Sequence, residues 1–138
     1  MKRILILLLL PTVASAQFSL GMSLGTSNAA MFATEFQLAY SHNWVIQTGY
    51  SSLVSRKVEK PSVFYIRTGY EFTGEVIDVV PAIGYGYHLH STDNKALNSH
   101  RFMYSVQLER QMREGKLYFT TSYTNRIFVV GIGIKYVF

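Results

Sequence analysis

The chain has 138 residues, 49% hydrophobic and 14% aromatic, with only 15% charged and no cysteine. Its formal charge of +5 rests on few ionisable groups, and Arg56, Lys57, Lys60, Lys95, Arg110, Arg113 and Lys116 fall in expected loops rather than in one stripe, so nothing points to a nucleic-acid partner. The length allows one domain, which without disulfides must be held by backbone hydrogen bonds and packing.

Residues 1–16 open with Lys2 and Arg3, continue through an apolar run from Ile4 to Leu10 and Pro11, and finish on Ala14, Ser15 and Ala16. This is the pattern of a secretory signal peptide cut before Gln17. The apolar run is too short for a membrane anchor, which needs about 20 residues. Residues 17–138 are therefore read as one exported domain, with two fewer positive charges than the full chain.

Alternation of period two runs through that domain, and no stretch fits helical spacing better. It predicts eight strands at 18–25, 32–41, 44–53, 62–72, 76–90, 101–110, 116–124 and 127–138, joined as hairpins by alternately short and longer connections. In the first three, small or polar residues share one face: Ser19, Gly21 and Ser23, then Ala33, Glu35, Gln37 and Ala39, then Gln47, Gly49 and Ser51. The fourth sets Phe64, Ile66, Thr68, Tyr70 and Phe72 against Tyr65, Arg67, Gly69 and Glu71. The fifth carries Gly84, Gly86 and His88 on its polar face, and its Pro81 lacks the N–H a ladder needs. A bulge or kink is expected there, so the inward placement of Asp78 depends on the register. The sixth and seventh continue the polar face with Ser105, Gln107 and Glu109, then Thr120 and Ser122. The eighth places Phe128, Val130, Ile132, Ile134, Tyr136 and Phe138 on one side, and Val129, Gly131, Gly133 and Lys135 on the other.

In a soluble barrel the apolar face would point inward and the other face would be rich in charge. Here the second face is small and mostly uncharged, which suits a crowded lumen: an eight-stranded barrel has an interior just wide enough for side chains. The apolar face then meets lipid. Strands of about 9–11 residues span a bilayer when tilted, and closure is obligatory because lipid cannot satisfy a free strand edge. The expected fold is an all-β, eight-stranded, antiparallel, up-and-down transmembrane barrel in which the first and last strands pair. With the first strand running outward from the periplasm, Phe18, Tyr40, Trp44, Tyr70, Phe72, Tyr136 and Phe138 form one aromatic girdle. Phe32, Tyr50, Phe64, Tyr85, Tyr87, Phe102, Tyr104, Tyr123 and Phe128 form the other.

These residues carry a resemblance. The chain resembles the small eight-stranded outer-membrane barrels of the OmpA/OmpX kind, and its ending resembles the C-terminal signal read by the barrel-assembly machinery: terminal Phe138 preceded at alternate positions by Tyr136, Ile134, Ile132, Val130 and Phe128. The resemblance implies the bacterial outer membrane, contact with its lipid, and assistance during insertion. It is nearly silent on activity, because such barrels include membrane-stabilising proteins, adhesins, lipid-modifying enzymes and accessory subunits of larger outer-membrane proteins.

Glu35, Arg67, Glu71, Arg101, Glu109 and Lys135, joined by Asp78 if the register holds, bring both signs of charge to the polar face. Charges in so narrow a space must pair, so these residues are expected to plug the lumen and leave no conducting path. His88 and His90, two apart, are a pair without an identifiable third metal ligand. His90 and Ser91 are adjacent and face opposite ways, a poor start for a catalytic pair. His100 with Ser99 or Ser91 keeps a lipid-modifying enzyme, an acyl transferase or deacylase, as the alternative. The glycines around Tyr85 and Ile132 open no helix and are read as lumen spacers rather than a phosphate loop. No catalytic, cofactor or metal residue is assigned, and the expected role is structural or interactive.

Overall fold

Strands that alternate bulky apolar residues with small polar ones can bury only one face each, and the chain resolves this by closing on itself. The structure, a computed structural model, describes residues 17–28, 32–54, 62–89, 99–124 and 127–138; the signal-peptide segment and His90 lie outside the described residues. Eight strands, β1 (Gln17–Ser27), β2 (Phe32–His42), β3 (Trp44–Val54), β4 (Ser62–Tyr70), β5 (Asp78–Leu89), β6 (Ser99–Met112), β7 (Gly115–Thr124) and β8 (Ile127–Val137), form a closed barrel in sequence order. Every neighbouring pair is antiparallel, and β1 pairs with β8 from Ser19–Val137 to Ser27–Val129. Beyond that ladder the Phe138 N–H donates to the Phe18 carbonyl at 2.9 Å, so the last residue is tied to the start of the barrel.

The polarity is inverted relative to a soluble protein. Leu24, Ile66 and Ile132 on the wall are 68%, 58% and 58% exposed, whereas Arg67, Gln107 and Glu109 inside are 1%, 1% and 3% exposed. Full burial of a Leu or Ile side chain is favourable by about 1.5–3 kcal/mol, and a wall made of such residues would forgo that stabilisation many times over in water. In lipid it loses nothing.

The aromatic residues collect at the two ends. Phe18 and Tyr40, Trp44 and Tyr70, Tyr70 and Phe72, and Tyr136 and Phe138 make ring contacts at one end. Tyr50 and Phe64, and Tyr85 and Phe102, do so at the other. The first end carries Gln17, Phe138 and the shortest link, in which Asn43 alone separates the paired His42 and Trp44. Two residues link Met112 to Gly115 there and Thr124 to Ile127 at the second end, but the longest link, residues 90–98, leaves from the second, as does 55–61. Asn43 turns the chain at φ 61°, a left-handed conformation that asparagine tolerates better than most residues. Short turns mark the periplasmic end of such barrels, so the second end is the outer one.

Pro81 does not create the expected bulge. Its partner on β6 is Val106 in an unbroken register, and on the β4 side the same register holds before it at Gly69–Ala82 and after it at the isolated Phe72–Val79 bridge. Phe72 and Val79 exchange both backbone hydrogen bonds, so residues two along, Tyr70 and Pro81, are placed to do the same. Pro81 has no N–H to give. The ladder lapses there, ending β4 at Tyr70 rather than Phe72, and resumes without a slip.

Candidate functional site

With the wall committed to lipid, the chemistry of the described residues lies in the lumen, which alternation fills from all eight strands. At its centre Arg67 crosses from β4 toward β2 and β3. Its Nη2 donates to Glu35 Oε1 and Gln37 Oε1, each at 3.0 Å, and its Nε donates to Gln47 Oε1 at 2.5 Å. Gln107 continues the chain from β6, donating to Gln37 Oε1 at 3.0 Å and accepting from Gln47 Nε2 at 2.9 Å. Tyr65 donates to Glu35 and lies beneath the guanidinium, 4.6 Å from ring centre to Arg67 Cζ. A belt of hydrogen bonds thus joins β2, β3, β4 and β6 across the lumen.

A second cluster closes the periplasmic end. Lys116 on β7 and Lys135 on β8 are direct cross-strand partners, an arrangement that repels unless a carboxylate intervenes. Glu109 provides it, with Oε2 3.1 Å from the Lys116 ammonium and Oε1 paired with Lys135. Lys116 also binds Glu71 at 2.5 Å and Asp78 at 3.1 Å, and Ser41 donates to Glu71 at 2.6 Å. Burial alone would push the Glu71 carboxyl up, but the hydrogen bonds from Lys116 and Ser41 outweigh it and hold it below the ordinary carboxylate range. Oxygen atoms of Glu71, Asp78 and Glu109 lie within 4.8 Å of one another, close enough to share a metal ion. The Lys116 ammonium already contacts all three, and with Lys135 it brings two positive charges to the three carboxylates. The cavity beside them, lined by Gln17, Ser19, Ser41, Glu71, Glu109 and Lys116, holds about 20 Å³, room for one water molecule.

The lumen residues named from sequence divide accordingly. Glu35 and Arg67 meet at the centre, and Glu71, Glu109 and Lys135 meet near the mouth together with Asp78. Arg101 does not join them. It shares the inward parity of Met103 and Ser105 but stands two residues before the described β6–β7 ladder begins, exposed at the outer rim, and no ion pair among the described residues includes it. Lys116, counted from sequence among the loop cations although it opens the seventh expected strand, is the hub of the periplasmic cluster. Its parity is readable from sequence, because it lies four and six residues before Thr120 and Ser122 on the expected lumen face, which the structure shows also carries the fully buried Tyr118. His88 is buried near the outer end with its Nε2 3.2 Å from Thr124 Oγ1. His100 is on the outward wall against Tyr85 and Tyr87. Of the C-terminal pattern, Phe128, Ile132, Ile134, Tyr136 and Phe138 are exposed on the wall and Val130 is partly so.

No family model and no curated protein sequence matches the chain. Solved structures do match its shape. A de novo designed transmembrane β-barrel superposes with a TM-score of 0.64 at 13% identity, covering 88% of this chain and 95% of the design. Neisserial surface protein A gives 0.64 at 12% identity over 89% and 96% of the two chains. The N-terminal barrel domain of Pseudomonas aeruginosa OprF gives 0.61 at 11% over 89% and 96%. At these identities the likeness is one of fold: a closed eight-stranded barrel of the outer-membrane type.

Proposed function

We propose that this chain, which has the fold of the small eight-stranded outer-membrane barrels, acts in the outer membrane as a closed, non-conducting barrel with a structural or interaction role, alone or as an accessory subunit beside a larger outer-membrane protein. The observation that supports this is the packed lumen: Arg67 at 1% exposure and Lys135 at 5% are each paired with a carboxylate, and the cavity beside the periplasmic cluster admits one water. A permeant ion would have to displace charges that are already paired with one another. Several of the connections at both ends are short, which limits any soluble partner surface and favours contacts made through the wall. A lipid-modifying enzyme needs a histidine within reach of a serine on that wall; His100 is packed against the rings of Tyr85 and Tyr87, and His42, also outward on a described strand, stands at the β2–β3 turn of the periplasmic end.

Purified barrel reconstituted in planar bilayers is expected to give no unitary current steps at neutral pH. Regular steps from the wild-type monomer would overturn the closed-barrel reading.

The terminal strand is proposed to be read by the barrel-assembly machinery during insertion. Deleting Phe138, or replacing it with Asp, should markedly lower the amount of inserted barrel in cells and leave unfolded chain in the periplasm. A carboxylate costs little at the interface, roughly 0–1 kcal/mol, so barrel refolded in vitro should be nearly unaffected. Normal insertion in cells would remove the recognition reading.

A further inference from the structure

The two ends of the barrel treat their cations differently. At the periplasmic end Lys116 and Lys135 are locked to carboxylates. At the outer end of β6, Arg101 is exposed and has no ion-pair partner among the described residues. Its neighbour His100 is also exposed, on the outward wall, and is held there by two rings of β5. It stacks on Tyr85 at 5.4 Å with 19° between planes, and it lies 4.6 Å from the ring of Tyr87, its cross-strand partner. Phe102, 65% exposed, and Tyr104, 54% exposed, continue the same face toward the bilayer interior.

We propose that His100, with Arg101 beside it, forms a binding station for the phosphate of a lipid headgroup in the outer leaflet. The imidazole is fixed in orientation by the two tyrosine rings and offers its ring N–H to a phosphate oxygen, more strongly when protonated. Arg101 stands on the inward parity but is exposed at the rim, where its side chain is long enough to lift the guanidinium over the edge to the interface and add a charge-assisted donor. The described residues at this rim include no carboxylate to compete for Arg101 or His100: Glu35, the acid nearest in register, is buried with Arg67 and Tyr65. A lipid is favoured over a free anion because His100 and the apolar surface of Phe102 and Tyr104 occupy one continuous wall, with Arg101 exposed at its outer rim. A headgroup phosphate with its acyl chains satisfies both parts of it.

The test uses the folded full barrel in neutral detergent, with lipid retention read by native mass spectrometry. Phosphatidylglycerol, diacylglycerol with the same acyl chains, and inorganic phosphate are the probes. Phosphatidylglycerol should be retained more tightly than diacylglycerol. His100→Phe, which keeps an aromatic ring against Tyr85 and Tyr87, and Arg101→Gln should each weaken phosphatidylglycerol retention by about tenfold, the scale of one lost charged hydrogen bond. Diacylglycerol retention should not change, and Arg110→Gln, at the opposite end, should behave as wild type. Three results would each overturn the proposal: equal retention of the two lipids, unchanged phosphatidylglycerol retention in both variants, or inorganic phosphate bound as tightly as the lipid. Both side chains are exposed, so the variants are expected to fold, and unchanged Trp44 emission verifies it.

Discussion

Gly133→Val is expected to prevent the barrel from closing, whereas Gly131→Ala, two residues away on the same face of β8, should fold nearly as wild type. A Cβ at Gly133 would fall on the Met22 carbonyl oxygen of β1 and lie 2.7 Å from both Ser23 Cβ and Tyr118 Cζ. The first of these is backbone in the seam that joins the two ends of the chain, so it cannot move without opening the seam. A Cβ at Gly131 would meet its nearest atom, the Leu24 carbonyl oxygen, at 3.2 Å, with the next two at 3.5 Å, a misfit of tenths of an ångström. Overpacking ordinarily costs about 1–3 kcal/mol; at Gly133 the branched side chain adds Tyr118 and Ser23 to the backbone clash, and the yield of compact, heat-modifiable barrel on a gel should fall severely. Equal yields from the two variants would mean that the seam is not where the barrel is most tightly packed.

Arg67→Met should destabilise the refolded barrel by about 3–5 kcal/mol, the range for removing one member of a buried pair and stranding the other charge. Glu35 would then keep only the Tyr65 hydroxyl among its described partners, while Gln47 Oε1 and Gln37 Oε1 would each lose a donor. Adding Glu35→Gln to Arg67→Met removes the stranded charge and keeps an acceptor for Tyr65, so the double variant should recover at least half of the loss. Urea titration in lipid vesicles, followed by Trp44 emission, measures both steps. If the double variant is no better than Arg67→Met, uncompensated charge is not the cause, and the belt acts through shape and its neutral hydrogen bonds.

The strands and their faces were legible because a two-residue period survives any choice of environment. Once Phe64, Ile66 and Tyr70 are known to lie opposite Tyr65, Arg67 and Gly69, only the direction of the lumen remains open, and the scarcity of charge on the second face decides it. Charge networks are harder, since parity names the face and not the height along it. Arg101 has the parity of Glu109 but lies eight residues away, at the opposite end of β6, and so it ends at the rim. Lys116 was lost for the converse reason. It follows a two-residue turn, where loop and strand look alike in sequence, yet it enters the lumen where Glu71, Asp78 and Glu109 converge from three other parts of the chain. Pro81 shows what a local rule misses. The residue does break a ladder, ending β4 at Tyr70, but its ring faces outward and the pairing resumes at Phe72–Val79 in the same register, so no bulge forms.

The inverted wall is the claim on which the rest depends, and Trp44, the chain's only tryptophan, makes it directly measurable. It is 64% exposed beside Tyr70 and Phe72 at the periplasmic girdle. In vesicles it should be quenched by lipids brominated near the headgroup and protected from aqueous iodide. With Trp44→Phe as background, a tryptophan introduced by Phe119→Trp, on the wall in the middle of β7, should be quenched best by bromines deep in the acyl chains. Phe128→Trp, at the outer girdle, should respond again to shallow ones. That depth series, shallow then deep then shallow with little effect of iodide, is the result the lipid-facing wall predicts; ready quenching by iodide at Phe119→Trp with none by deep bromines would contradict it.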